Sequence, residues 1–163
     1  MRVAALLVSS FLLALSAVGC GGPTHHDLQA EQTFTESAVK VTASLSFEPR
    51  ELVVVKLQPL LPGLHLYGKS MPSGGVDGVG VPATVTVSGD LWQVGGARAN
   101  VSEIRKQVAG LSGDIPVYPA GPISITLPVK EIGGGRPTVI VSFGACSSRI
   151  CFLPVHMARL VLS

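Results

Sequence analysis

Ile123-Ser124-Ile125-Thr126-Leu127-Pro128-Val129 and, after a glycine-rich break, Thr138-Val139-Ile140-Val141-Ser142-Phe143 decide the fold class. Successive side chains of a β-strand point to opposite faces. Ile123, Ile125, Leu127 and Val129 therefore share one face of a strand, as do Val139, Val141 and Phe143, while Ser124, Thr126, Thr138 and Ser142 face the other way. The break between the runs, Gly133-Gly134-Gly135, is a turn signal. Working outward, residues 39–47 alternate in the same manner, and residues 52–57 are rich in β-branched side chains. Shorter runs follow at residues 63–67 and 83–87, and a last one at residues 155–162. Pro49-Arg50, Pro62-Gly63 and Pro72-Ser73-Gly74-Gly75 separate them. Residues 101–111 carry a helical pattern, with Ser102 as N-cap and Glu103 in the first turn. Short strands at this spacing predict an all-β chain folded as an immunoglobulin-like antiparallel β-sandwich.

The 163 residues fit one domain, and its expected extent is residues 37–163. Residues 1–19 read as a targeting segment. Arg2 opens it, residues 3–18 are apolar apart from Ser9, Ser10 and Ser16, and Ser16-Ala17-Val18-Gly19-Cys20 closes it with small residues. A Cys directly after such residues resembles a bacterial lipobox, so Cys20 is expected to be lipidated and to anchor the chain in the envelope. A membrane span needs about 20 apolar residues, which this run barely reaches. Residues 20–36 are polar and aperiodic and read as a tether. Twelve Lys and Arg stand against ten Asp and Glu, with no basic patch or aromatic–basic interleaving, so nucleic acid is not an expected partner.

Of the three cysteines, Cys20 is taken up by the lipobox. That leaves Cys146 and Cys151, an even pair in an exported, oxidising compartment. Five steps of extended strand cover about 16 Å, whereas a disulfide needs Cα atoms about 4.4–6.8 Å apart. A bridge therefore requires residues 147–150 to turn the chain back, as a hairpin tip between the strand at Thr138 and the strand at Val155. Gly144 permits the backbone angles of such a bend, and Pro154 ends the loop. The residues alone leave two roles open. A structural staple is the ordinary one, yet closing so short a loop stabilises by only about 2 kcal/mol. A short exposed bridge is the labile kind, and Arg149 inside the loop favours a thiolate.

The stretch Gly144-Ala145-Cys146-Ser147-Ser148-Arg149-Ile150-Cys151-Phe152-Leu153-Pro154 resembles the cysteine loop of the amino-terminal periplasmic domain of the thiol:disulfide interchange protein DsbD, the disulfide bond corrector domain. Two further segments agree in order: Pro62-Gly63-Leu64-His65-Leu66-Tyr67, and Tyr118 followed by residues 123–129. The resemblance implies an immunoglobulin-like fold. It implies that Cys146 and Cys151 are exchanging thiols, which receive electrons from a membrane-embedded thiol reductase and pass them to periplasmic thioredoxin-like proteins. It places His65 and Tyr67 near the pair. Family members shield the pair with a cap loop bearing an aromatic residue; the matching region here, residues 108–116, has Leu111 and Ile115 in its place. The family's membrane and terminal thioredoxin domains have no counterpart in these 163 residues, so the donor is expected to be a separate protein.

The expectation is thus a lipid-anchored envelope thiol–disulfide exchange protein facing the periplasm, using no cofactor and no metal. The rival is a non-catalytic binding or structural lipoprotein with an inert disulfide. A metallochaperone using His156, Met157 and the cysteines is a weaker alternative, because no Met- or His-rich motif accompanies them. His25 and His26 read as part of a solvated tail. His156 is a candidate for proton transfer at Cys151, Trp92 is expected in the core or at its rim, and Asp77, Gly78 and Gly80 are loop residues. Neither a nucleotide-binding glycine pattern nor a hydrolytic triad is present.

Overall fold

The structure, a computed structural model, describes residues 30–47, 49–78, 80–90, 92–107 and 112–163. Thirteen strands, paired antiparallel, and no helices occur among them. The larger sheet joins β1 (Glu31–Glu36), β2 (Val39–Ser46), β3 (Leu52–Pro59), β10 (Ile123–Glu131) and β6 (Trp92–Val94) in that order, with β7 (Arg98–Ala99) also on β10. The facing sheet is β13 (Val155–Val161), β11 (Thr138–Phe143) and β5 (Thr84–Ser88). Two small ribbons complete the fold: β4 (His65–Leu66) with β12 (Ala145–Cys146), and β8 (Ile104–Gln107) with β9 (Asp114–Val117).

The alternation seen in the sequence sets the layers. Val39, Val41, Ala43 and Leu45 from β2 and Ile123, Ile125, Leu127 and Val129 from β10 are buried, and they pack in one core with Val139, Val141 and Phe143 from β11. Fully burying each Val, Leu or Ile contributes roughly 1.5–3 kcal/mol relative to exposure. This core dwarfs the few kcal/mol that a short-loop disulfide supplies. Trp92 belongs to the core.

Two expectations are corrected. The stretch read as tether contains β1, which pairs along its whole length with β2, from Glu31↔Ser44 to Glu36↔Val39. The sheet therefore begins before residue 37; only Phe34 on β1 packs on the core, so the strand has no apolar alternation to announce it. Residues 101–107 are not helical. Ile104–Gln107 is a strand held in register with Asp114–Val117, and residues 108–111 lie outside the described residues. Ser102 caps no helix and Glu103 lies in no helical turn; Glu103 accepts hydrogen bonds from Ser70 N–H and Ser70 Oγ. Helix propensity is a weak prior, and here cross-strand pairing overrides it.

A bulge in β13 lies opposite the end of β11, just ahead of the cysteine ribbon. Val141 pairs with Ala158 but Phe143 with Val155, so β13 carries an extra residue there. Met157 sits at φ 51°, and its N–H donates to Ser142 Oγ. Bulges bend a strand and re-aim the side chains beyond them. Past this one the chain leaves β13, and Gly144 N–H donates to Val81 O while Tyr67 N–H donates to Gly144 O.

Candidate redox site

The site grows from one register. In the β4–β12 ribbon, Cys146 stands opposite His65 and Ala145 opposite Leu66. Directly opposed residues share a face of the sheet, as do residues two apart on one strand. His65 and Tyr67 thus both present their side chains to the face that carries Cys146. Tyr67 also bridges to Val117, and Gly68 N–H donates to Pro116 O, so the β8–β9 hairpin is docked against the same strand.

Cys146 and Cys151 are bridged, with Cα atoms 4.1 Å apart, a little closer than the usual lower bound of about 4.4 Å. The four residues between them form a tight tip. Ser147 N–H donates to Ile150 O, and the N–H groups of Arg149 and Ile150 donate to Ser147 Oγ. Phe152 N–H donates back to Ala145 O. Ser147 is therefore the organiser of the loop, as short hydroxyl side chains often are in turns.

The two sulfurs lie in different surroundings. Cys146 is 1% exposed and packs with Tyr67, Met71, Ile115 and Val117 in a small cluster apart from the main core. Cys151 is exposed. Tyr67 Oη lies 2.7 Å from Cys146 Sγ and 3.9 Å from Cys151 Sγ. Burial pushes the Tyr67 phenol above its ordinary value of 10.0, so the phenol keeps its proton at neutral pH and can donate it to a sulfur.

Two glycines hold the Tyr67 ring in place. A Cβ on Gly144 would lie 2.7 Å from Tyr67 Cδ2 and 3.0 Å from Val81 N. A Cβ on Gly80, at φ +94°, would lie 2.6 Å from Met71 Cε and 2.9 Å from Tyr67 Cε2. Gly144 is not among the glycines with positive φ. Its role is close approach to the ring, not the unusual backbone angle expected from the sequence. Gly80, which the sequence marks only as a loop residue, approaches the same edge of the ring. Asp77 fastens the loop that carries it, accepting hydrogen bonds from Ser112 N–H and Oγ.

His65 is buried. Its Nδ1 lies 3.4 Å from Gly63 O and 3.4 Å from Lys106 Nζ, and its Nε2 has no hydrogen-bond partner among the described residues. Burial first, and the Lys106 charge second, hold its pKa below the ordinary 6.5, so the ring is neutral at physiological pH. An open cavity of about 400 Å³ lies beside the bridge, lined by His65, Lys106, Ser147, Ser148, Arg149 and Cys151 among others. His156 is exposed on β13 and does not line it. Lys106 is the residue that sequence reasoning missed. The alternation of residues 104–107 was too short to be told from a helical turn, and nothing local announced that the hairpin would dock over His65. Cys20, His25 and His26 lie outside the described residues, as do residues 108–111 of the expected cap loop.

This is an immunoglobulin-like β-sandwich carrying a solvent-accessible disulfide at a hairpin tip, with one sulfur buried against a phenol and the other open. No protein-family model matches the chain, and no curated protein does. Solved structures do. The N-terminal periplasmic domain of ScsB from Proteus mirabilis superposes with a TM-score of 0.57 at 18% identity, over 82% of this chain and 51% of that one. The chain thus spans about half the length of that domain. The DsbD N-terminal domain of Neisseria meningitidis, in its reduced form, superposes with a TM-score of 0.51 at 13% identity, over 77% of this chain and 91% of that one. The fold is that of the DsbD N-terminal domain, as the sequence resemblance implied.

Proposed function

We propose that this protein is an envelope thiol–disulfide exchange protein. It relays electrons through Cys146 and Cys151 from a membrane-embedded thiol reductase to periplasmic thioredoxin-like proteins. It is held to the membrane by lipid on Cys20. The resemblance to the DsbD domain supports this kind of partner, and the periplasmic ScsB neighbour supports the location.

The asymmetry of the two sulfurs carries the reading. An incoming thiolate meets Cys151, which is exposed, and not Cys146, which is buried. Attack on Cys151 Sγ forms a mixed disulfide there and expels Cys146 as a thiolate. A low-pKa thiol leaves faster, and Tyr67 Oη, 2.7 Å away, is a donor placed to stabilise the departing charge. The donor's second thiolate then frees Cys151. In the forward half, the Cys151 thiolate attacks the acceptor's disulfide and Cys146 resolves the intermediate. His65 lines the cavity beside the pair, Tyr67 packs in the buried cluster around Cys146, and Arg149 adds positive charge at the rim.

The test is trapping. Cys146→Ala, which leaves the open sulfur unresolved, should accumulate mixed disulfides with envelope proteins, and Cys151→Ala should accumulate far fewer. A bridge potential below about −300 mV, the range of structural disulfides, together with no trapped species, would make the pair a staple. Mass spectrometry of the mature amino terminus checks the anchor: diacyl lipid on Cys20 is expected.

A further inference from the structure

The cavity beside the bridge has a chemistry that disulfide exchange alone does not require. Two cationic side chains line it, Lys106 from β8 and Arg149 from the hairpin tip, and among the described residues no Asp or Glu does. They come from segments distant in sequence. Lys106 is brought there only because the β8–β9 hairpin docks on Tyr67 and Gly68. His65 in the same wall is neutral and keeps a buried, unpartnered Nε2. A buried polar atom without a partner is rare, and each instance calls for an explanation. Ser147 and Ser148 add hydroxyls, and the exposed Cys151 lines it together with Gln107 and Ile150. A volume of about 400 Å³ lies within the range of small-molecule sites, roughly 300–1,000 Å³.

We propose that this cavity recognises small carboxylate-bearing thiols, so that Cys151 exchanges with an anionic low-molecular-weight thiol as well as with protein partners. The inference rests on the exchange function of the pair and names a further substrate class for it. The carboxylates sit against Lys106 Nζ and the Arg149 guanidinium, which brings the ligand sulfur to Cys151 Sγ. The ligand thiolate attacks Cys151 Sγ; a ligand–Cys151 disulfide forms, and the Cys146–Cys151 bond breaks with its electron pair passing to Cys146 Sγ. A second ligand thiolate attacks the ligand sulfur of that mixed disulfide. This releases the oxidised ligand dimer and the Cys151 thiolate. The two thiol protons end on Cys146 and Cys151. The protein gains two electrons and two ligand thiols lose them, and every step runs equally in reverse.

The experiment measures the rate of bridge opening in the intact protein by glutathione and by glutathione diethyl ester, compared at equal thiolate concentration. The ester carries the same thiol with its carboxylates neutralised. Wild type should open faster with glutathione, and the preference should shrink as salt rises. Lys106→Gln and Arg149→Gln should each lower the ratio of the glutathione rate to the ester rate by about two- to fivefold, the scale of a part-exposed ion pair. Equal rates for the two thiols in wild type, with the bridge opening readily, would overturn this inference and leave protein-to-protein exchange standing. A bridge that no thiol opens in the folded protein would overturn both. The wild-type comparison needs no variant to fold, and Arg149 is exposed, so its replacement leaves the core untouched.

Discussion

Replacing Tyr67 by Phe isolates the contact on which the proposed chemistry depends. The ring packs against Met71, Gly80 and Gly144, and Phe keeps all of that packing. Only Oη is lost, and with it the contact 2.7 Å from Cys146 Sγ. A hydrogen bond to a charged acceptor contributes about 1.5–3 kcal/mol, and one pKa unit corresponds to about 1.4 kcal/mol. In a Cys151→Ala background, where Cys146 titrates alone, Tyr67→Phe should therefore raise the Cys146 pKa by about 1–2 units. The assay is the ultraviolet absorbance of the thiolate against pH, with the fold checked by circular dichroism. Exchange in the otherwise wild-type protein should slow in parallel, because a poorer leaving thiolate departs more slowly. Tyr67→Ala is the contrast: it empties the small cluster and should cost about 3–5 kcal/mol of stability. An unchanged Cys146 pKa in a folded Tyr67→Phe protein would refute the claim that the phenol stabilises the thiolate.

Three more outcomes are expected. Gly144→Ala sets a methyl group against Tyr67 Cδ2 and the Val81 backbone nitrogen, so it should cost about 1–3 kcal/mol in denaturant unfolding and weaken the Tyr67 effect on the Cys146 pKa. The double variant Cys146→Ala, Cys151→Ala should unfold with a stability lower by only about 2 kcal/mol and lose exchange altogether; global unfolding on reduction of the wild-type bridge would contradict this. His65 has a folded pKa below 6.5, so the unfolded chain takes up its proton first as pH falls. Its contribution is thus present above about pH 6.5 and is lost as pH drops through the folded pKa. Urea midpoints measured across that acidic window should fall less steeply for His65→Gln than for wild type.

The strands that build the sandwich were legible because their signal is local. Residues 39–47, 123–129 and 138–143 alternate with a period of two, and that period holds wherever one face is buried and the other is not. The hairpin at residues 147–150 was legible for a related reason: two cysteines five positions apart can bridge only if the chain reverses between them. Where burial is slight, the pattern disappears. β1 is mostly exposed, and its polar, aperiodic sequence reads as tether. Ile104–Gln107 is held in a strand by its pairing with Asp114–Val117, although its own residues suit a helix. The site divides in the same way. The residue types at 65, 67, 146 and 151 pointed to thiol chemistry through their likeness to a known pattern. Only the tertiary structure decided which sulfur is open, that Gly144 and Gly80 wedge the Tyr67 ring against Cys146, and that Lys106 stands over His65. Those facts depend on chain segments far apart in sequence meeting in space. Periodicity reports which face of a strand is buried, and it carries no information about which other strand will cover it.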